Sequence, residues 1–159
     1  EWCDEIAGGV LAAGPDRCSA AALNGVPAVV SVGADDMVNF GPWDTVPEHY
    51  QSRNLYKHNP TVTLMRTTVE ENEQIGRAIA SKVNMSIGPC AVMLPLKGVS
   101  MIDAEGQPFY GPEEDAALFQ VLRDEIDPTK AELIEMDAHV NDDEFAIAAA
   151  QKLIDLMNQ

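Results

Sequence analysis

The sequence predicts an α/β fold: a three-layer sandwich in which helices cover both faces of a mostly parallel, Rossmann-like or flavodoxin-like sheet. Short apolar runs rich in β-branched residues alternate along the chain with longer stretches of helical periodicity. Strands separated by helices pair in parallel, through right-handed crossovers. The 159 residues contain no evident linker or repeat, so residues 1–159 are expected to form a single domain.

Four segments carry the strand pattern. The runs "PAVVSVG" (27–33) and "CAVMLP" (90–95) are short, apolar and bounded by glycine or proline, as buried strands are. The run "AELIEMD" (131–137) is a further strand, and "NLYKHN" (54–59) is a weaker match. All four are expected in one sheet, with their carboxyl ends at the same edge.

Helices are predicted between these strands. Trp2, Ile6 and Val10 recur at helical spacing, and this helix is expected to end near Gly14. A second helix is predicted to open at Pro15 and to close at Gly25.

Three later helices have start or stop signals of their own. Thr68 and Glu71 form a capping-box pattern. Pro112 stands at the first position of a helix with acidic residues in its first turn. Asn141 and Glu144 are expected to cap the last helix.

The charge balance excludes several classes of partner. Asp and Glu number 26 against 10 Lys and Arg, a net charge of −16, whereas nucleic acids and anionic membranes need a basic surface. No apolar run approaches the roughly 20 residues of a membrane span. The three cysteines form no C-x-x-C pair, which argues against a disulfide scaffold or a zinc site and favours a reducing, cytoplasmic compartment.

Polar side chains collect where the predicted strands end. Ligands bind open parallel sheets outside the carboxyl ends of the strands, so these residues are the candidate site. The candidate ligand-binding residues are Gly33, Asp36, Asn39, Asn59, Lys97, Gly98, Ser100 and Asn141, and the candidate catalytic residues are His58 and His139.

The residue types favour a small anionic ligand. Lys97 is a point charge suited to phosphate or carboxylate, and Gly98 lets the backbone approach a ligand closely. His58 and His139 can move protons near neutral pH. Structural roles stay open for several of them: Lys97 could pair with Asp103, His58 could order a turn, and Asn141 could only cap a helix.

Two connections are long for a compact domain, which is typical of functional loops. They are residues 33–53 and 96–111, and they are expected to enclose a pocket. Met37, Phe40, Trp43 and Tyr50 of the first loop offer apolar walls for a lid or an interface.

Long motifs resemble one family along nearly the whole chain. They include "GGVLAAGPDR" (8–17), "DMVNFGPWDTVPE" (36–48) and "LPLKGVSMIDAEGQPFYGPEEDAALF" (94–119). The chain is similar to the C-terminal domain of uncharacterised protein family 0261, the Tm-one-like ATP-binding family, to which a region of a tomato mosaic virus resistance protein is related. Against the family pattern Asp35 is unusual, because an apolar residue is expected there.

The resemblance implies a longer protein with two α/β halves, of which this chain would be the C-terminal one. It also implies ATP binding, and with it Mg. The missing N-terminal domain would then be a partner of this one. The sequence alone does not decide whether the domain is an enzyme.

Two functions follow from these patterns. The first is a nucleotide- or phosphometabolite-binding domain with its anion site at the carboxyl edge of the sheet. The alternative is a non-catalytic domain for oligomerisation, as a homo-oligomer, or for protein interaction. The direction of the apolar side chains in 37–50 distinguishes them: towards Lys97 for the first, into a flat exposed patch for the second.

Overall fold

The computed structural model describes residues 1–159 and confirms the α/β class. The strands are β1 (Ala28–Ser31), β2 (Met37–Phe40), β3 (Leu55–Asn59), β4 (Val62–Arg66), β5 (Cys90–Pro95) and β6 (Glu132–Met136). The helices are α1 (Trp2–Ala7), α2 (Ser19–Asn24), α3 (Val69–Val83), α4 (Pro112–Glu125) and α5 (Asp143–Met157). None of these helices has the length and apolar character needed to cross a lipid bilayer.

Three of the predicted strands form the parallel sheet. Its order is β1-β5-β6, with the wholly buried β5 in the centre. Val30 pairs with Val92 on one side, and Val92 pairs with Leu133 on the other. The predictions for 27–33, 90–95 and 131–137 are therefore confirmed as parallel strands.

The fourth predicted strand lies in a different sheet. Residues Leu55–Asn59 pair antiparallel with Val62–Arg66 in a sheet of order β2-β4-β3. The single four-stranded sheet is thus wrong, because only two residues separate β3 from β4, too few for the crossover that parallel strands require. The three-layer Rossmann-like sandwich as a whole stays a prediction.

The segment 33–53 is not one open loop. It contains β2 and two 3₁₀ turns, Trp43–Thr45 and Glu48–Tyr50. Phe40 is buried, and Tyr50 packs against the main core and donates a hydrogen bond from its hydroxyl to the Ala7 carbonyl oxygen, 2.8 Å away. The apolar residues of this segment therefore serve mainly the core, and only Trp43 is strongly exposed.

Side chains on the two faces of β5 enter two hydrophobic clusters. Val92 and Leu94 pack into the larger one with Ile75 of α3 and Leu118 of α4. Met93 points to the other face, where the smaller cluster contains Phe145 of α5. The central strand is buried because helices contribute apolar side chains to both of its faces.

Helix ends agree with some of the expected signals. The capping box of Thr68 and Glu71 is confirmed, with both hydrogen bonds present. Pro112 opens α4 as predicted. The cap predicted at Asn141 is wrong, because α5 is preceded by Asp142, whose carboxylate instead accepts from the His139 backbone N–H.

The N-terminal helices are shorter than predicted. α1 ends at Ala7, because Gly8 takes a left-handed conformation there, and α2 begins at Ser19 rather than at Pro15. The predicted end at Gly25 is confirmed.

Candidate functional site

The carboxyl edge of the parallel sheet joins three loops. The backbone N–H of Lys97 donates to the Ala138 carbonyl, and the N–H of Val140 donates to the Gly98 carbonyl, both at 3.1 Å. The N–H of Ala34 donates to the Val99 carbonyl at 2.8 Å. Residues 33–36, 97–103 and 137–142 therefore meet at this edge, and we call them the edge loops.

Gly98 is required by the close contact between two of the edge loops. Its φ of +131° is rarely adopted by residues with a side chain. A Cβ added there would lie 2.7 Å from Cδ2 of His139 and would also collide with the Asp103 carbonyl. The glycine thus allows the loop after β5 to pack against His139.

Ser100 and Asp36 form a buried hydrogen bond inside the edge loops. The Ser100 hydroxyl donates to Oδ2 of Asp36 at 2.6 Å. The other carboxylate oxygen, Oδ1, is buried without a hydrogen-bond partner. Burial raises the pKa of Asp36 to about 6, although the Ser100 hydrogen bond and the Arg66 charge act to lower it.

His139 is held by both of its ring nitrogens. Nε2 lies 2.9 Å from the Ser100 carbonyl oxygen, and Nδ1 lies 3.1 Å from the backbone nitrogen of Asn141. Since a backbone N–H can only donate, Nδ1 accepts and the proton is assigned to Nε2. In this arrangement His139 joins two edge loops and has no free nitrogen for proton transfer.

Arg66 is the buried cation of this region. Its Nε donates to the Phe109 carbonyl at 2.9 Å, and its Nη1 donates to the Thr67 hydroxyl at 3.0 Å. Its Nη2 lies 2.7 Å from Oδ1 of Asp115 and 3.6 Å from Oδ1 of Asp103. Arg66 therefore ties the end of β4 to the loop after β5 and to the first turn of α4.

The two carboxylates next to Arg66, those of Asp103 and Asp115, accept different numbers of hydrogen bonds. Oδ2 of Asp103 accepts from the Val99 N–H at 2.8 Å and Oδ1 from the Gly111 N–H at 3.3 Å, whereas Asp115 accepts only from Arg66. Burial raises the pKa of Asp115 to about 7, against the lowering effect of the Arg66 charge, and the negative Asp103 raises it further.

A cavity of about 480 Å³ opens beside the loop that follows β5. Lys97, Gly98, Glu105 and Asp115 contribute its polar wall. Its remaining wall consists of Leu96, Tyr110, Pro112, Ala116 and Phe119. A volume of this size and a largely apolar lining suit a small organic ligand with one charged end.

Lys97 stands at the mouth of this cavity. Its Nζ lies 2.9 Å from Oδ2 of Asp137, and the two side chains are 55% and 83% exposed. The Asp137 hydrogen bond raises the pKa of Lys97, so the ammonium stays charged. The pairing with Asp103 that the sequence left open does not occur, and an exposed pair like this one exchanges partners at little cost.

The structure brings six of the candidate residues together in the edge loops: Gly33, Asp36, Lys97, Gly98, Ser100 and His139. Asn141 also lies there, but its exposed side chain makes no hydrogen bond within the protein.

Three candidates lie elsewhere. His58 and Asn59 are exposed at the end of β3, in the antiparallel sheet, where Oδ1 of Asn59 accepts from Thr61 across the turn. Asn39 binds Asp4 through its side chain at 3.0 Å. His58 and Asn59 were grouped with Lys97 on the basis of a single parallel sheet, and that basis is wrong. Asn39 follows the first predicted strand, but it lies within β2 of the antiparallel sheet.

Sequence reasoning missed Arg66, Asp115 and Tyr110. Arg66 and Asp115 are 49 positions apart, so no local spacing could have paired them. Asp115 has the local features of an ordinary acidic residue in the first turn of a helix. A buried position for Arg66 could have been suspected only if β4 had been recognised as a strand.

Comparison with known proteins places the chain in a family. The family model described as "Uncharacterised protein family (UPF0261) C-terminal domain" matches residues 1–157. The chain belongs to the UPF0261 family. A UPF0261 protein of Clostridium tetani is 58% identical over all of this chain and 39% of its own length.

Further relatives of this UPF0261 domain come from bacteria and from a plant. A UPF0261 protein of Rhizobium meliloti is 48% identical over 99% of this chain and 40% of its own length. The ToMV resistance protein Tm-1 of Solanum lycopersicum is 40% identical over 98% of this chain and 21% of its own length. The UPF0261 domain thus spans about two fifths of these bacterial relatives and about a fifth of the tomato protein.

Proposed function

We propose that this UPF0261 domain binds a small anionic metabolite, a phosphorylated or carboxylic acid, in the cavity beside Lys97. The observation that carries the proposal is the position of the Lys97–Gly98 turn on a cavity of about 480 Å³ with an apolar wall. The anionic group would replace Asp137 as the partner of Lys97, and the organic part would lie against Tyr110 and Phe119. The domain would do this within a longer, cytoplasmic two-domain protein whose N-terminal half covers the open side of the cavity.

The residues fit a monophosphate or carboxylate better than ATP with Mg. Lys97 is the single cation of the cavity wall, alongside Glu105 and Asp115, which gives little compensation for a triphosphate. No three His, Cys, Asp or Glu side chains are arranged to hold a metal ion. If the family binds ATP, the phosphate-binding groups would have to come from the other half of the longer protein.

A thermal-shift screen tests the proposal. The chain and its Lys97→Ala variant are heated with AMP, ADP, ATP and 3-phosphoglycerate at about pH 6.5, each ligand in large excess. A ligand present at about 100 times its Kd stabilises the folded state by about 2.7 kcal/mol, which gives a clear shift in Tm. A shift that the Lys97→Ala variant lacks supports the proposal, and no shift with any ligand contradicts it.

A second function, protein interaction, is favoured by one surface. On α5 the residues Ile147, Ala150, Ile154 and Met157 follow one another at i, i+3, i+7 and i+10, which places them on one side of the helix. Ile147, Ile154 and Met157 are 68%, 51% and 66% exposed, although Phe145 on the opposite side is buried. A helix that is apolar on both sides is typically covered by a partner.

Analytical ultracentrifugation tests this second function. If the surface joins copies of the chain, a concentration-dependent dimer should form and the double change Ile147→Gln with Ile154→Gln should abolish it. Changing the exposed polar residue Gln151 to Ala on the same helix serves as the control. A monomer at all concentrations would leave this surface without a role in self-association.

A further inference from the structure

Asp115 stands out among the residues that line the cavity. Its carboxylate is on the first turn of α4, and Oδ1 accepts from Nη2 of Arg66 at 2.7 Å. No other protein donor reaches the Asp115 carboxylate, and the Asp103 carboxyl lies close enough to share a hydrogen bond with it. Asp115 is also the most deeply buried of the charged groups in the cavity wall, with Lys97 and Glu105 both exposed. The side chain thus joins the buried network around Arg66 to the space where a ligand would lie.

The buried network holds more negative than positive charge. Asp36, Asp103 and Asp115 are all buried, and Arg66 is the one cation buried with them. Three ionised carboxylates against one guanidinium would leave two uncompensated negative charges in a region of low dielectric, which is strongly unfavourable. One of the carboxyls therefore retains a proton near neutral pH.

The hydrogen bonds indicate which carboxyl retains it. Asp103 receives two backbone N–H donors, which stabilise its ionised form. Asp115 receives only the Arg66 Nη2, and Arg66 shares that nitrogen with the Gly111 carbonyl at 3.2 Å. Asp36 lies deeper and does not line the cavity. Asp115 is therefore the carboxyl whose proton a ligand in the cavity can reach.

The other charged groups around Asp115 act in both directions. Arg66, on β4, favours its ionised form, and Asp103, from the loop after β5, opposes it. Glu114 beside it on α4 has its carboxylate close to Gly111. Lys97 and Glu105 line the same cavity as Asp115. The balance gives a carboxyl with a pKa raised to about 7, close to physiological pH.

We propose that Asp115 is a specificity-determining residue of the cavity. In its protonated form, its carboxyl O–H donates a hydrogen bond to an anionic ligand that Lys97 holds. This inference rests on the proposed function. The ionised form would repel the same ligand, so binding is accompanied by uptake of a proton at Asp115. The domain would therefore select small acids, and would hold them more tightly as the pH falls.

Calorimetric titration with 3-phosphoglycerate tests the inference. Titrations at about pH 7.5 in two buffers with different ionisation enthalpies give the number of protons taken up on binding. The affinity at about pH 6.5 and about pH 8.5 gives the dependence on protonation. In the unmodified chain we expect uptake of a substantial fraction of one proton and an affinity roughly tenfold lower at the higher pH.

Asp115→Asn is the informative variant, because its amide N–H₂ donates at every pH while its oxygen still accepts from Arg66. This variant should lose most of the proton uptake and keep only the uptake by the phosphate group of the ligand. The matched control is Glu113→Gln, which removes one exposed negative charge from the same turn and should retain the proton uptake of the unmodified chain.

The possible outcomes separate this inference from the proposed function. Binding with the same proton uptake in Asp115→Asn as in the unmodified chain overturns the role of Asp115 and leaves the proposed function standing. Absence of binding by the unmodified chain overturns both. Independently of any variant, NMR titration of the Asp115 carboxyl in the ligand-free chain should give a pKa between about 6 and about 8, and a value below about 5 overturns the inference.

Discussion

Asp4 and Asp36 are both completely buried, yet their surroundings differ. Asp4 accepts three hydrogen bonds: from the Leu11 N–H at 3.2 Å, from the Asn39 N–H at 3.0 Å and from the Asn39 side chain at 3.0 Å. Asp36 accepts one, from Ser100, and its Oδ1 has no partner. The first carboxylate organises the packing of α1 on β2, whereas the second belongs to a network with unmet hydrogen-bonding capacity.

This difference in hydrogen bonding indicates which part of the domain has a function beyond folding. Buried polar groups in a folded protein are nearly always satisfied, so unsatisfied ones call for an explanation. Asp36, the acid with a buried unpaired oxygen, belongs to the group of buried acids around Arg66, and Asp115 of that group lines the cavity beside Lys97. Perturbed pKa values in a cleft are typical of functional sites, although ion-pair networks also produce them. Variants of Arg66, Asp4, Asp35 and Lys97 test the contrast between the two acids.

Arg66→Met should be the most damaging change, because it leaves the buried acids without their cation. We expect a loss of about 3–5 kcal/mol in the free energy of unfolding. The loss should be greater at pH 8 than at pH 5.5, since protonated carboxyls need the guanidinium less. Urea unfolding at both pH values measures this. The control is Arg77→Met, which removes an exposed partner of Glu73, and an equal loss for the two variants would contradict the account.

Asp4→Ala should destabilise the protein by about 2–4 kcal/mol, because it leaves the N–H groups of Asn39 and Leu11 without their acceptor. Urea unfolding measures this loss. A loss below about 1 kcal/mol would show that Asp4 does not organise the packing of α1 on β2.

Asp35→Asn is expected to stabilise the protein at high pH. Burial raises the pKa of Asp35 from 3.8 to about 7, so between these values the folded chain binds more protons than the unfolded chain. The stability that this carboxyl contributes is present below about pH 4 and is lost as the pH rises towards 7. Replacing the carboxyl with an amide should therefore add about 2 kcal/mol at pH 8 and almost nothing at pH 4.

Thermal unfolding of Asp35→Asn across this pH range checks the sign as well as the size of the effect. The exposed change Asp16→Asn is a control that should leave the pH profile unaltered. A loss of stability at pH 8 would mean that ionised Asp35 has support from partners not evident in its hydrogen bonds.

Lys97→Ala should have the smallest effect on stability. The lysine and its partner Asp137 are both exposed, and exposed ion pairs contribute little to folding. The Tm of the variant should lie within about 1 °C of the unmodified protein. A larger decrease would make Lys97 a structural residue and would remove the main support for a ligand site.

The sequence alone predicted the helices and strands whose signals lie within a few neighbouring residues. The continuous apolar run of β5, the capping box at Thr68 and the proline that opens α4 all predicted their elements correctly. β2 and β4 were missed because their patterns are short and mixed. β4 contains the buried polar residues Thr63 and Arg66. Partners distant in sequence satisfy Arg66, whereas the Thr63 hydroxyl is buried without a hydrogen-bond partner.

The sequence likewise predicted the part of the candidate site that depends on local strand patterns. Gly33, Lys97, Gly98, Ser100 and His139 follow strands that do lie in one parallel sheet, and the edge rule brought them together correctly. His58 lies in a strand of the other sheet, and strand pairing cannot be deduced from a strand pattern alone. Asp115 and Arg66 depend on a contact across 49 residues that leaves no periodic trace.

The proposed function requires that Lys97 hold an anionic ligand in the cavity it shares with Tyr110 and Phe119. Its most direct test is calorimetric titration of 3-phosphoglycerate into the unmodified chain and into Lys97→Ala at about pH 6.5. We expect measurable binding to the unmodified chain and an affinity lower by about 10- to 100-fold in the variant, because a hydrogen bond to a charged group is lost. Equal affinities in two equally stable proteins would contradict it.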